Sequence, residues 1–229
     1  MKLKKLKRKL EIKLIKADNI ILLPAKNEAQ AIGKVIDDIH AIGYQNIVCP
    51  ISGCTDNTIE VATQHGATVL DCPTGKGRAV SYALKQINAR KIVMLDSDNT
   101  YPVKAIPQLF ELLDQFEVVA GTRKFNSQNM PIMNRLGNYF ITYQAVFLHG
   151  LGIKDLCTGM WGFRGDVVRK LDIKSYGFTL EAELFVFTAK NRLKFGQIPI
   201  EYYPRIGNKK INRLDHLKIM WYLWTRSLT

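Results

Sequence analysis

The sequence lacks the features that mark several common classes of protein. Its four cysteines form no C-x-x-C pair and no zinc-finger spacing with histidine, which argues against a zinc module and favours buried thiols in a reducing compartment. The basic N-terminus has no unbroken apolar stretch and no small-residue cleavage site, so no secretory signal is predicted. No run of about 18 apolar residues occurs, so no transmembrane helix is predicted. These absences predict a cytoplasmic location.

The chain is also poor in acidic residues relative to basic ones. Lysine and arginine number 33 against 20 aspartates and glutamates, which gives a formal net charge of +13. Such a balance attracts polyanions, including nucleic acid, anionic lipid headgroups and phosphorylated substrates. No nucleic-acid-binding motif accompanies the charge, so nucleic acid is not an expected partner.

Length and composition suit one α/β domain with a short appendage. The chain has 229 residues, 47% of them hydrophobic, which is enough for a sizeable core. We predict a basic segment at 1–18, the domain at 19–212 and an amphipathic helix at 213–229.

Short apolar runs alternate with stretches of helical periodicity. This alternation predicts right-handed βαβ units and an α/β fold with a mostly parallel, Rossmann-like sheet flanked by helices. The predicted strands are 19–24, 47–51, 67–70, 91–95, 117–120, 158–164 and 194–203. The predicted helices are 29–42, 58–65, 77–88, 106–113, 133–151, 180–191 and 214–228.

Polar segments follow four of the predicted strands. They read PAKNE after Leu23, SGCTDNT after Ile51, DCPTGKG after Leu70 and DSDNTYP after Leu95. Ligands of parallel sheets bind beyond the carboxyl ends of the strands. We therefore expect these four segments to border one crevice.

Two carboxylates separated by one residue, Asp96 and Asp98, leave the fourth strand directly. Alternate residues of an extended segment face the same side, so both acids can reach one site. Oxygen ligands suit Mg²⁺ or Mn²⁺, which commonly bind a diphosphate as well. The alternative is a turn whose aspartates cap the next helix. A strand exit that faces three other polar strand ends favours the metal.

Lys76 lies in the turn TGKGR at 74–78, just before a predicted helix. Glycines let the backbone approach a phosphate, and a helix N-terminus adds a positive field. The turn is not a Walker A loop, because Leu70 stands in place of the first glycine and Gly77 in place of the required Ser or Thr. A nucleoside triphosphatase is therefore disfavoured, and an ordinary glycine turn is the alternative.

Other polar groups have two interpretations each. Asn27-Glu28 and Asp56-Asn57 close the first two strand–helix junctions, where they either cap a helix or hold a base or ribose. The basic loop at 205–210 either binds phosphate through Arg205 and its lysines or is a solvated charged loop.

The last predicted helix carries an apolar stripe with tryptophan and basic neighbours. The stripe consists of Leu214, Leu217, Trp221, Trp224 and Leu228. Tryptophan suits the headgroup boundary of a membrane, and basic residues suit anionic lipid. The alternative is a helix that buries this stripe on the protein's own sheet.

Together these motifs resemble those of family-two glycosyltransferases with the GT-A fold, and more closely those of dolichyl- or polyprenyl-phosphate hexose synthases. The resemblance runs from about Ile20 to Lys210 and rests on the order and spacing of the motifs. PAKNE is similar to the family's first nucleotide-binding motif, SGCTDNT to its DGSTDGT element, GKGRAV to its GKG turn and DSDNTYP to its DxD metal motif. At Ser52 the chain departs from the family, which has an acid there.

The second half carries further similar segments. GTR at 121–123 resembles the family's GSR turn, NRLGN at 134–138 its R-x-x-G-N element, and DLCTG at 155–159 its D-x-x-[ST]-G segment near the reaction centre. Glu181 and Glu183 fall where the family has an acidic pair on a helix. RIGNKK at 205–210 resembles the acceptor-phosphate loop R-x-G-x-S-K, without its serine.

The resemblance implies an inverting transfer of a hexose from a UDP- or GDP-linked sugar to a dolichyl or polyprenyl phosphate, for glycan assembly. It implies a metal-dependent enzyme, peripheral at the inner face of a membrane. The implied catalytic residues are Asp98, Asp155 and Arg123, with Asp155 as a base or for sugar positioning. Those implied for the nucleotide-sugar are Pro24, Ala25, Asn27, Glu28, Asp56, Lys76, Asp96 and Ser97. Those implied for Mg²⁺ or Mn²⁺ are Asp96 and Asp98. Those implied for the acceptor phosphate are Arg123, Arg135, Arg205, Lys209 and Lys210.

Two rival functions stay open. One keeps the fold and changes the acceptor to a soluble sugar or glycan. The other is a sugar nucleotidylyltransferase, whose usual glycine-rich first loop is missing from PAKNE.

Overall fold

In the described part of the chain, seven strands form one mixed sheet in the order β3-β2-β1-β4-β6-β5-β7. The computed structural model describes residues 14–125, 130–207 and 213–228. The strands are β1 (Ile15–Leu22), β2 (Ile47–Ile51), β3 (Thr68–Asp71), β4 (Ile87–Met94), β5 (Val118–Arg123), β6 (Trp161–Arg164) and β7 (Phe195–Ile200). β6 is antiparallel to β4 and β5, and the other described strand pairs are parallel. The predicted fold class, a mostly parallel sheet flanked by helices, is confirmed.

Helices cover both faces of the sheet. They are α1 (Ile32–Ala41), α2 (Thr58–Gln64), α3 (Lys76–Leu84), α4 (Ile106–Leu112), α5 (Ile132–His149), α6 (Gly165–Val168), α7 (Leu180–Lys190) and α8 (Arg213–Ser227). A single 3₁₀ turn, Val103–Ala105, precedes α4. Among the residues described, no helix is both long and apolar enough to cross a membrane.

The core consists of two apolar clusters, one on each face of the sheet. On one face Ile36 of α1 and Leu109 of α4 belong to a cluster with Val93 of the sheet. On the other face Val80 of α3 and Phe185 of α7 belong to a second cluster. A strand that is covered on both sides needs apolar residues at successive positions, which is why β2 is a continuous apolar run.

The junction between α3 and β4 differs from the prediction. The predicted helix ran to 88, but α3 ends at Leu84 and β4 begins at Ile87. β1 starts at Ile15, four residues earlier than predicted, and Ile15 pairs with Ile87. The first residues of β4 therefore pair with β1 as a strand, although their apolar spacing also suits a helix.

Helices α5 and α8 pack against each other and leave apolar side chains exposed. Gln144 Nε2 donates to the Met220 carbonyl at 3.1 Å, and His149 Nε2 lies 3.1 Å from the Leu223 carbonyl. The exposed large apolar residues of α5 are Ile132, Met133, Leu136, Tyr139, Phe140, Tyr143 and Phe147. The predicted stripe near the C-terminus, Leu214, Leu217, Trp221, Trp224 and Leu228, is 48% to 72% exposed, so it is not buried on the protein's own sheet.

Candidate active site

A cavity of about 900 Å³ opens at the carboxyl ends of the parallel strands. The predicted residues that line it are Pro24, Ala25, Asn27, Glu28, Lys76, Asp96, Ser97, Asp98, Arg123 and Arg205. The cavity also reaches α5 at Asn134 and Asn138 and α8 at His216 and Ile219. The structure therefore brings the predicted strand-end segments together, and it joins them to the helix pair α5–α8.

Lys76 connects the first acid of the DxD segment to α7. Its Nζ donates to Asp96 Oδ1 at 2.6 Å and to Glu181 Oε1 at 2.7 Å. Burial disfavours the charge on Lys76, but Asp96 and Glu181 outweigh it and raise the pKa of Lys76. Burial also opposes the charge on Asp96, whose pKa is nevertheless lowered by Lys76. The two groups therefore keep each other ionised in a half-buried site.

Two glycines set the position of Lys76 at the start of α3. Gly75 has a φ of +112°, and a Cβ there would lie 2.3 Å from the Tyr176 carbonyl oxygen. A Cβ at Gly77 would lie 2.2 Å from the Ser175 carbonyl oxygen. The turn therefore packs directly on the backbone at 175–176, as only glycines permit.

Asp98 is almost fully buried and both of its oxygens have partners. Oδ1 accepts from the Thr100 amide at 3.0 Å and from the Thr100 hydroxyl. Oδ2 forms an ion pair with Arg205, whose other terminal nitrogen lies 3.4 Å from Glu28 Oε1. Burial and the nearby Asp96 raise the pKa of Asp98, against the opposing effects of Arg205 and Thr100.

Arg123 and Asp155 form a buried, bidentate ion pair. Arg123 Nε and a terminal nitrogen donate to the two Asp155 oxygens at 2.6 and 2.8 Å, and the Arg123 amide also donates to Oδ2 at 3.2 Å. The guanidinium lies over the rings of Phe125 and Tyr202, at 4.9 and 5.0 Å from their centroids. With its side chain 1% exposed, Asp155 orients Arg123 instead of facing the cavity.

The first two strand-end segments are bound to each other. Asn27, at a φ of +51°, accepts from the Thr55 amide at 2.8 Å. Asp56 accepts from the amides of Ala29 and Thr58 at 3.2 and 3.1 Å, so it caps this junction. Asp56 is not among the described residues that line the cavity. The capping interpretation therefore accounts for its contacts, while Asn27 and Glu28 face the cavity as well.

The backbone at Gly159 packs closely against the side chain of Asp96. A Cβ at Gly159 would lie 2.2 Å from Asp96 Oδ2, and the Gly159 amide donates to the Tyr101 hydroxyl at 2.5 Å. The Ser97 hydroxyl donates to the Pro24 carbonyl at 3.0 Å and so links the DxD segment to the end of β1. These contacts hold the DxD backbone in place.

Of the five predicted acceptor-phosphate residues, Arg123 and Arg205 line the cavity. Arg135 is on α5 and half-buried, but the described cavity lining contains its neighbours Asn134 and Asn138 instead. Lys209 and Lys210 lie outside the described residues.

Other lining residues carried no assigned role in the sequence analysis. Glu181 was noted only as one of an acidic pair, yet it binds Lys76. Tyr101, within the segment DSDNTYP, also lines the cavity, as do Tyr202 and Ile219, which no local sequence pattern marks. Their positions follow from the packing of loops and of α8 onto the sheet.

No cluster of three or more His, Cys, Asp or Glu side chains suited to a metal is found in the described part of the chain. The DxD pair contributes two carboxylates to a cavity that cationic side chains also line. Such a pair fits a metal that takes its remaining ligands from a diphosphate and water.

Comparison with known proteins identifies the class. The model of the family "Glycosyl transferase family 2" matches residues 20–172. The chain therefore belongs to this family, as the motifs predicted, and is a glycosyltransferase.

Individual relatives sharpen this assignment to the hexosyltransferases. The dolichyl-phosphate hexose transferase of Haloferax volcanii is 34% identical over 201 residues, covering 85% of this chain and 87% of the relative. Glycosyltransferase AglJ of the same organism is 35% identical over 203 residues, covering 86% of this chain and 67% of the relative. The resemblance to the lipid-phosphate hexose synthases is thus confirmed.

Solved structures confirm the GT-A fold. Glucosyl-3-phosphoglycerate synthase from Mycobacterium tuberculosis, bound to Mn²⁺, UDP-glucose and phosphoglyceric acid, matches with a TM-score of 0.75 at 21% identity. The match covers 91% of this chain and 79% of that protein.

Proposed function

We propose that this enzyme transfers a hexose from a UDP- or GDP-linked sugar to a dolichyl or polyprenyl phosphate. The observation that carries the proposal is the extent of the cavity. It runs from the ends of β1 and β2, past the charged groups Asp98 and Arg123, to Met130 and to Ile219 of α8. A charged middle section suits two phosphate groups, and the apolar side chains Met130 and Ile219, which lie beside polar groups of α5 and α8, suit the start of an isoprenoid chain.

The nucleotide-sugar lies at the β1–β2 end of the cavity in this proposal. Pro24, Ala25 and Ser52 border the nucleoside, with Asn27 and Glu28 nearby. Lys76, at the N-terminus of α3, supplies positive charge to the diphosphate. Glu181 holds the Lys76 ammonium in position and so acts through it.

Asp96 and Asp98 would hold Mg²⁺ or Mn²⁺ together with the donor diphosphate. Support comes from their carboxylate chemistry, their common cavity and the Mn²⁺ in the solved structure of similar fold. When bound, such an ion neutralises the negative charge that develops on the departing diphosphate.

Arg123 and Arg205 hold the acceptor phosphate for in-line attack in this proposal, with Arg135, Lys209 and Lys210 as further contributors. The nucleophile is a phosphate oxygen that is already anionic at neutral pH, so a strong general base is less necessary than for a hydroxyl acceptor. The bidentate Asp155 contact supports this assignment, since it fixes the Arg123 guanidinium at the cavity wall. Guanidinium groups bind phosphate with two parallel hydrogen bonds.

The exposed apolar faces of α5 and α8 bind the inner surface of the membrane in this proposal. Trp221 and Trp224 are 64% and 48% exposed, and their ring centroids lie 5.6 Å apart. Exposed aromatic and apolar residues on packed helices suit the headgroup boundary. Since the same helices border the cavity, a bound bilayer would lie next to the acceptor end. The predicted basic segment at 1–18 would add attraction to anionic lipid.

A transfer assay tests the reaction. The protein is incubated with labelled UDP- and GDP-hexoses, Mg²⁺ or Mn²⁺, and polyprenyl phosphate in detergent. The expected product is organic-extractable label that is lost when the lipid phosphate is left out. Label that appears only on a soluble sugar or glycan would support the soluble-acceptor alternative. Formation of nucleotide-sugar from a nucleoside triphosphate and sugar phosphate would support a nucleotidylyltransferase.

Cosedimentation with liposomes tests the membrane surface. Trp221→Ser combined with Trp224→Ser should lower the fraction pelleted with anionic liposomes several-fold at low salt. Tyr82→Ser, at a 42% exposed position on α3, is the matched control and should pellet like the wild type. Wild-type protein that stays in the supernatant at low salt would refute the proposal that α5 and α8 bind a membrane.

A further inference from the structure

Asp98 is paired with an arginine that the sequence places near the far end of the chain. Arg205 forms its ion pair with Asp98 Oδ2, while Asp98 Oδ1 is occupied by the amide and hydroxyl of Thr100. Oδ2 is therefore the Asp98 oxygen that a metal would use most readily, and the guanidinium already occupies it. Arg205 and a metal would compete for this oxygen.

The segment that carries Arg205 is fastened along the DxD backbone. The Tyr203 amide donates to the Thr100 carbonyl at 2.9 Å, and the Ile206 amide donates to the Asp98 carbonyl at 3.1 Å. These bonds hold the main chain on either side of Arg205. A change of partner is therefore achieved by rotation of the long Arg205 side chain, which is 29% exposed, without loss of the backbone contacts.

Charge favours such an exchange when the donor arrives. Lys76 and Arg205 together contact four carboxylates, those of Glu28, Asp96, Asp98 and Glu181. These four acids line the same cavity, a setting that attracts a divalent ion, and such an ion would repel the guanidinium. A guanidinium that leaves Asp98 keeps the longer contact with Glu28, at 3.4 Å. A phosphate can replace the lost partner with bidentate geometry.

We propose that Arg205 is a switch residue that passes from Asp98 to the acceptor phosphate once metal and donor bind at the DxD pair. The inference rests on the proposed function and assigns to Arg205 the coupling between the donor site and the acceptor site. The exchange links the two substrates through one side chain. Before metal and donor bind, Arg205 stays on Asp98. The enzyme therefore binds the acceptor phosphate weakly until a sugar is available for transfer.

Binding of Mn²⁺ alone, measured by electron paramagnetic resonance without nucleotide, tests the first half of the exchange. Removal of the competing cation in Arg205→Gln should tighten Mn²⁺ binding about tenfold, within the usual range of coupling between two ligands. Arg205→Lys keeps a charge but loses the forked contact, so its affinity should fall between those of Arg205→Gln and the wild type. Arg164→Gln removes an arginine paired with Asp166 and should leave the Mn²⁺ affinity unchanged. Mn²⁺ affinity in Arg205→Gln equal to or weaker than that of wild type overturns the proposal.

Binding of the water-soluble citronellyl phosphate, measured by calorimetry, tests the second half. In the wild type its affinity should rise about tenfold when Mn²⁺ and the preferred nucleoside diphosphate are present, and in Arg205→Gln this rise should vanish. An equal rise in both proteins overturns the switch. If the transfer assay fails but Arg205→Gln tightens Mn²⁺, the competition at Asp98 stands and the acceptor is wrong. If transfer to lipid phosphate occurs while Mn²⁺ affinity is unchanged, the switch alone fails.

Discussion

The two halves of the sheet form the site by different means. In the donor half, β3-β2-β1-β4, the parallel strands deliver polar residues directly from their carboxyl ends, so that each contribution lies in one short segment. In the acceptor half, β6-β5-β7, the cationic residues depend on partners from distant loops, as Arg123 does on Asp155. The donor half is therefore encoded locally, while the acceptor half depends on long-range ion pairs.

The largest expected effect is at the metal position of the donor half. Asp98→Asn keeps the shape of the side chain but removes the charge, so turnover should fall by about 10²- to 10³-fold, as for the loss of one key electrostatic group. The thermal midpoint should change little, because Thr100 can still donate to the amide oxygen and the ion-pair partner that is lost, Arg205, is 29% exposed. Turnover with Mg²⁺ or Mn²⁺ and a melting curve are the measurements. Full activity in a folded Asp98→Asn protein would show that the metal role is wrong.

The next largest effect is on folding stability, where substitutions in the two halves should have different costs. Arg123→Ala leaves the Asp155 carboxylate buried without its guanidinium, and removal of one partner of a buried pair costs about 3–5 kcal/mol. Denaturant unfolding measures it. Lys76→Ala, in the donor half, should cost less, because its partners are more exposed. The contrast between the halves is lost if Lys76→Ala proves the more destabilising of the two.

The KM values for the two substrates provide a further test of the division into a donor half and an acceptor half. Arg205→Ala should raise the KM for lipid phosphate about tenfold, corresponding to one lost charge-assisted contact, and should change the KM for nucleotide-sugar less. Steady-state kinetics with each substrate varied in turn measures both. An equal rise in both constants, or in neither, would count against a role at the acceptor end.

The smallest effect concerns pH and the contact between α5 and α8. Burial lowers the pKa of His149 below its ordinary 6.5, so the folded protein favours the neutral ring. The stability that follows is present above pH 6.5 and is lost as the pH falls through the folded-state pKa. Wild-type protein should lose about 2 °C more in melting temperature between pH 7.5 and 5.5 than His149→Gln. If both proteins lose the same amount of melting temperature, His149 is not the source of the pH dependence.

The donor half could be predicted well from the sequence because its signals are local. β2 has the predicted bounds Ile47–Ile51, and the acids Asp96 and Asp98 border the expected cavity. The helix α3 was predicted too long, since apolar spacing does not reveal that Ile87 pairs with Ile15 of β1. The polar segments after the strands followed from the rule for parallel sheets, which needs no knowledge of distant contacts.

The acceptor half could be predicted only in outline. The resemblance supplied Arg123, Asp155 and Arg205, but not the ion pairs that they form. Glu28 and Arg205 are 177 residues apart in sequence, and Arg123 and Asp155 are 32 apart. No periodicity or spacing connects such pairs. The antiparallel direction of β6 was likewise not predicted, because a four-residue strand carries no signal of its orientation.

The close approach of Gly159 to Asp96 has a consequence for natural variation. Glycine to alanine is among the mildest exchanges by chemical similarity, yet at position 159 it would bring a methyl group to 2.2 Å from Asp96 Oδ2. At Gly137 and Gly152 an added Cβ meets nothing within 4 Å. A deep mutational scan should therefore find alanine depleted at 159 and tolerated at 137 and 152. The same exchange of glycine for alanine should thus impair the enzyme at one position and be tolerated at the two others.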